Sequence, residues 1–256
     1  EGIHAFVKVG MMEDDKFFEQ AKDALIFKNS DGEYETLAEY LEKNKEKAEG
    51  KVFYSSDVNA QSNYINLFKN QGIEVLILDS FIDSHFINFM EMKNQNTKFS
   101  RIDSDVMDNL VDKEAQNDVI VDPKSNKTSS QVLEDLFKDN LKISDLKIKI
   151  ENLKSAEIPG MLLFSEHMRR IHEMTSLMQQ KDLGPLKDYT LVINASNPIV
   201  ENLKKLSQEF NKDKEVELIC NHIYELALLS QKQLPPEKMQ GFLERSNKIL
   251  ELLSKG

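Results

Sequence analysis

Between Glu215 and Ser254, apolar residues recur at intervals of three and four, the period of one helix face. Val216, Ile219, Ile223, Leu226, Ala227, Leu228 and Leu229 mark one helix. Met239, Phe242, Leu243, Ile249, Leu250 and Leu253 mark a second, opened by Pro235-Pro236-Glu237, where proline suits the first turn. The polar Gln231-Lys232-Gln233 between them predicts that the two fold back as a terminal hairpin. Leu226 to Leu229 is apolar right round the helix. Two arrangements satisfy so wide a surface: packing on the chain's own domain, or pairing with a second copy as a four-helix bundle.

The rest of the chain falls into two patterned halves. A stripe of Phe17, Phe18, Ala21, Leu25 and Ile26 predicts a helix over 13–27, and Thr36 is placed to cap a short helix over 37–45. Val52-Phe53-Tyr54, the apolar run 74–78 and residues 98–102 read as strands. Helices opening at Asp57 or Asn59, closed by Gly72, and over 84–92 separate them. This order predicts a small parallel three-layer α/β unit. An acidic stretch follows, with a loop cluster at Pro123-Lys124-Ser125-Asn126, and makes the best domain boundary. Beyond it come a helix over 129–141, an alternating strand at Leu146, Ile148 and Ile150, and a strand over 161–164. A helix over 166–179, a strand over 189–193 and a helix opened by Asn197-Pro198 complete an α+β unit.

Composition narrows the function classes. The 256 residues are 40% hydrophobic and 30% charged, with a formal net charge of -11. Acids mixed among the bases disfavour nucleic acid and anionic lipid as partners. No apolar run approaches a membrane span, and no basic-then-apolar leader is present. The lone Cys220 cannot form an internal disulfide, which fits a reducing cytoplasm. The sequons at Asn126 and Asn194 read as chance, and the opening Glu1-Gly2-Ile3, without an initiator methionine, reads as a fragment.

Candidate chemistry is sparse. No glycine-rich phosphate loop and no nucleophile elbow occurs, so Ser55, Ser56 and Ser80 read as helix caps. His167 and His172, five apart, lie on different helix faces and lack the spacing of a zinc helix. Cys220 falls on an apolar helix side and reads as core. Asp103, Asp105 and Glu114 match three positions of a calcium loop, but Asp108 stands where glycine is needed. The most informative stretch is the helix over 166–179. Met168, Ile171, Met174, Leu177 and Met178 share one side, with Arg169, Arg170 and Glu173 opposite. A methionine face adapts to varied partners, although a core-facing stripe has the same pattern. His85, Phe86 and Phe89 form a second such patch.

Several strings, in this order, resemble the ninety-kilodalton heat-shock chaperones in their bacterial form. They are 6–14 (Phe-Val-Lys-Val-Gly-Met-Met-Glu-Asp), Leu37-Ala38-Glu39-Tyr40-Leu41 before Lys51-Val52-Phe53-Tyr54, and Gly72-Ile73-Glu74-Val75-Leu76 before Ile82-Asp83. Arg101-Ile102-Asp103-Ser104-Asp105 and Asn194-Ala195-Ser196-Asn197-Pro198-Ile199 complete the set, with Asn197 in place of the family's usual histidine. The resemblance implies that 1–103 is the end of the middle domain, 104–127 an acidic linker, and 128–256 the C-terminal dimerisation domain. It also implies homodimerisation through Leu226, Leu229, Met239, Phe242, Leu243, Ile249, Leu250 and Leu253. Unfolded or partly folded clients would meet Met168, Ile171, Met174 and Met178, and also His85, Phe86 and Phe89. ATP and magnesium would belong to an N-terminal domain not present in this stretch, leaving it no cofactor, metal or catalytic residue. The acidic tail of eukaryotic cytosolic members is missing after Lys255-Gly256. The competing readings are a ligand-binding or enzymatic α/β domain with a separate dimerisation module, and a purely structural adaptor.

Overall fold

A computed structural model describes residues 2–48, 50–104, 110–112, 120–122, 127–167, 169–171, 175 and 188–254. Contacts divide the chain into two units: Glu1–Asp105 with Phe164–Gly184, and Val106–Leu163 with Pro185–Gly256.

In the first unit, helices α1 (Gly2–Glu13) and α2 (Asp15–Ala21) are separate because Asp14 restarts the helix. Its carboxylate accepts from the Lys16 and Phe17 amides, as an N-cap does. The helix expected over 13–27 therefore stops early. Ile26 instead begins a hairpin of β1 (Ile26–Asn29) and β2 (Tyr34–Thr36), which are antiparallel. Asn29 builds the turn by accepting from the Asp31 and Glu33 amides, and Gly32 takes the left-handed conformation it needs, at φ +86°.

Helices α3 (Leu37–Lys43), α4 (Lys45–Ala48), α5 (Ser62–Asn70) and α6 (Asp83–Lys93) alternate with β3 (Lys51–Ser55), β4 (Leu76–Ile77) and β5 (Lys98–Arg101). The sheet order is β2-β1-β4-β3-β5. The three strands read from sequence are parallel, and the hairpin adds an antiparallel pair beside β4. Val52 and Tyr54 pack into a core with Phe18, Tyr40, Phe86 and Met90, while Phe53 meets Phe68 of α5. Such two-sided burial is why these strands read as apolar runs. The α3 start is a capping box of Thr36 and Glu39.

The second unit holds helix α7 (Ser129–Leu141), capped by Thr128, and strands β8 (Lys147–Glu151), β9 (Gly160–Phe164) and β10 (Tyr189–Asn194). Their order is β8-β10-β9, with β8 and β10 parallel. A short two-stranded pair, β6 (Ile120–Asp122) with β7 (Lys127–Thr128), precedes α7. Helix α8 (Pro198–Leu206) opens at Asn197, which accepts from the Ile199 amide and donates to the Ala156 carbonyl. Asparagine thus caps α8 and ties it to the loop before β9. Helices α9 (Asp213–Ser230) and α10 (Met239–Ser254) end the described chain. Helix α9 crosses close to β9 at Gly160, where a Cβ would lie 2.9 Å from Ile223 Cγ2.

Candidate interaction surfaces

The terminal hairpin has one filled face and one open face. Val216, Cys220, Ile223, Tyr224, Ala227 and Leu228 of α9 are buried, in a helix that packs on α7 and α10. Burial pushes the Cys220 thiol up to about 12, so it is an inert core group. Phe242 of α10 is buried too, stacked on His222 with ring centroids 5.2 Å apart. Arg245 pairs with Glu225 at 2.8 Å and joins the helices a turn further along.

The other face carries Leu226, Leu229, Leu243, Leu250 and Leu253, all exposed, with Leu253 at 75%. Met239 and Ile249 are half-buried. Of the residues expected at an interface, Phe242 is thus taken up inside the hairpin.

The methionine-bearing stretch 166–179 is described only in part. Met168, Met174 and Met178 lie outside the described residues. Ile171 is 44% exposed. Beside it, Arg169 is buried at 1% exposure. Its guanidinium pairs with Glu166 at 2.5 Å and donates to the Tyr54 hydroxyl. Arg170 reaches Glu91 with both terminal nitrogens, at 2.8 and 3.3 Å, and Glu166 through Nε at 2.7 Å. Asn88 Oδ1 and the Phe99 carbonyl accept from it as well. Burial opposes ionisation of Glu166, but Arg169 and Arg170 outweigh it and hold the carboxyl below its usual range. Burial likewise opposes the charge on Arg170, and Glu91 and Glu166 raise its pKa nonetheless. Sequence periodicity placed both arginines simply opposite the apolar face, because Tyr54, Asn88 and Glu91, which also receive them, stand some 80 to 115 residues away in the chain.

Helix α6 corrects a second expectation. Phe86 is 2% exposed, its ring in the core of the first unit with the Lys8 ammonium 5.7 Å from its centroid. Phe89 is half-buried and meets Phe18 edge-on, and His85 is half-buried. Phe86 therefore offers no surface. Exposed apolar residues here are Phe81 just before the helix, at 66%, and Met92 in its last turn, at 72%.

The strand ends of the first unit bound a cleft of about 550 Å³, lined among others by His4, Lys8, Asp79, Ser80 and Asp83. Lys8 and Asp83 are both buried and paired with each other. Ser55 donates to Gln61, so it braces the loop before α5. Asp103 is buried and held by the Arg101 guanidinium. Asp105 and Glu114, the other two calcium-loop matches, lie outside the described residues. Among the described residues no cluster of His, Cys, Asp and Glu could hold a metal ion, and no helix is long and apolar enough to cross a membrane.

Comparison with known proteins gives one consistent result. The model of the Hsp90 protein family matches residues 3–255. A chaperone protein HtpG of Porphyromonas gingivalis is 30% identical over 251 residues, covering 93% of this chain and 36% of that protein. One from Bacteroides fragilis is 27% identical over 208 residues, covering 78% of this chain and 30% of its own length. One from Chlorobium phaeobacteroides is 25% identical over 258 residues, with 96% and 39% covered. The chain spans about a third of the length of these curated relatives.

Proposed function

The chain belongs to the Hsp90 family, and on that premise we propose that it is the stretch of a heat-shock chaperone that pairs two copies and offers apolar surface to partly folded proteins. The observation that carries this is the open leucine face of the terminal hairpin. Leu226, Leu229, Leu243, Leu250 and Leu253 are exposed on helices whose opposite face is already filled. A second copy presenting the same stripe covers it by two-fold symmetry and closes a four-helix bundle.

Pairing of this kind needs no catalytic group. It holds the remaining parts of two whole chains at high effective concentration, so that their closure becomes nearly intramolecular. We assign ATP and magnesium to parts of the whole protein outside this stretch. We assign 1–103 to the end of the middle domain, 104–127 to a linker and 128–256 to the dimerisation domain. Partly folded clients would meet Ile171 with Met168, Met174 and Met178 of the same stretch of sequence, where flexible side chains hold varied sequences weakly. The acidic net charge of -11 keeps such a dimer dissolved in the cytoplasm.

Analytical ultracentrifugation of this chain and of a version ending at Ser230 tests the pairing. A dimer that becomes a monomer on truncation supports it. A monomer in both places the leucine face elsewhere in function and favours the ligand-binding alternative, for which the cleft beside Asp79 and Ser80 is the place to look.

A further inference from the structure

Among the described residues, strand β5 is the last strand of its sheet and pairs only with β3. Ile102 N–H donates to the Tyr54 carbonyl, toward β3. By the two-residue alternation of a strand, the amides of Phe99 and Arg101 face the outer edge. An open edge of this kind invites any extended chain to add to it. Here side chains fill it. Phe99 N–H donates to Glu91 Oε1 at 2.8 Å, and the Phe99 carbonyl accepts from Arg170 Nη2 at 2.9 Å. Arg101 N–H donates to Glu166 Oε2 at 3.4 Å. The same groups pair with one another: Arg170 with Glu91 and Glu166, and Arg169 with Glu166 and Tyr54.

We propose that Arg170 and Glu91, backed by Arg169 and Glu166, are positioning residues that seal the β5 edge and thereby fix how Ile171 is presented to an unfolded polypeptide. Ile171 follows Arg170 directly and is exposed, whereas the arginine side chains turn inward to the strand. A planar guanidinium bound by a fork to one carboxylate and by its Nε to another fixes orientation as well as distance. The apolar contact is thus adjoined by a largely buried polar clamp. This rests on the reading of Ile171 as a client contact, and the experiment separates the two.

The test compares the full chain with Arg170→Met, Arg170→Lys, Glu91→Gln and Ile171→Ser. Hydrogen exchange is followed at the Phe99 and Arg101 amides. Affinity is measured for a reduced, carboxymethylated ribonuclease as the unfolded probe, and sedimentation checks the oligomeric state. Arg170→Met is expected to speed exchange at both amides about tenfold or more and to weaken probe binding about fivefold, with the oligomeric state unchanged. Arg170→Lys keeps the charge but loses the fork, and recovers part of both effects. Glu91→Gln keeps an acceptor for Phe99 N–H and gives a milder version should Arg170→Met fail to fold. Faster exchange with unaltered probe affinity would overturn the positioning role and leave only an edge cover. Unaltered exchange in all clamp variants would overturn the clamp itself. Unaltered binding in Ile171→Ser would remove the client reading, and this proposal with it.

Discussion

His222 lies nearly parallel to the Phe242 ring, at 7° and 5.2 Å between centroids, with its buried Nδ1 lacking a hydrogen-bond partner among the described residues. Burial and the neighbouring Arg245 push its pKa below the usual histidine value, and Glu225 opposes them only in part. The neutral imidazole is therefore the form the hairpin accommodates. In the unfolded chain the ring takes up a proton near its ordinary pKa, so between that value and the lower folded one the unfolded state binds more protons. Stability from this residue is full above about pH 6.5 and is lost as pH falls toward the folded pKa. Melting curves between pH 7.5 and 5.5 should show the transition of the hairpin-bearing unit falling by about 1–2 °C from this group, a modest figure because the ring is partly solvated. His222→Gln should flatten that slope relative to the parent. An unchanged slope would assign the pH response to other groups.

The helices α7 and α8 and the three strands of the second unit were legible because each carries a local signal: Thr128 and Asn197 as caps, alternation in β8, and continuous apolar runs in β9 and β10. The β1–β2 hairpin was not. Leu25 and Ile26 continue the helical spacing of Phe17, Phe18 and Ala21, and only the side chain of Asn29, folding back on the Asp31 and Glu33 amides, decides for a turn. Candidate sites fared unevenly for a related reason. Periodicity identifies a face but not what covers it, so Phe86 read as surface when α6 turns it into the core, and Arg170 read only as lying opposite the methionines when Glu91 receives it. The terminal hairpin shows both outcomes within one element. Leu250 is 62% exposed and Phe242 only 9%. Leu250→Glu should therefore convert a dimer to a monomer while leaving helix content and melting of the single chain nearly unaltered. Phe242→Ala should instead lower stability by about 3 kcal/mol, the low end for losing a buried aromatic ring, because it removes the seat of His222 and leaves a cavity. Circular dichroism with sedimentation distinguishes the two, and equal behaviour of both variants would mean the leucine face is not where copies meet.

For the whole molecule, the order of the two units along the chain matters more than their number. The first unit takes Glu1–Asp105 and then, after the strands β8 and most of β9 have been laid down in the second, takes back Phe164–Gly184. The returning stretch is tied in at once: Phe164 N–H donates to the Asp103 carbonyl at 2.9 Å, and Glu166, Arg169 and Arg170 then close the β5 edge. A chain cut after residue 127 retains every strand of the five-stranded sheet and loses this cover. The Phe99 carbonyl would lose its donor and the Arg101 amide its acceptor, and Glu91 would keep a partly buried charge without its arginine, which is costlier than never having had the pair. Residues 1–127 should accordingly melt below the same unit in the full chain and associate with rising concentration through the exposed strand edge. Thermal melting and sedimentation at several concentrations measure both effects. Adding Arg170→Met to the full chain should reproduce part of the loss without any truncation, because the same edge is opened from the other side. If 1–127 is instead monomeric and melts as the full chain does, the first unit is self-sufficient, and the return of the chain at 164–184 serves only to carry the methionine-bearing stretch.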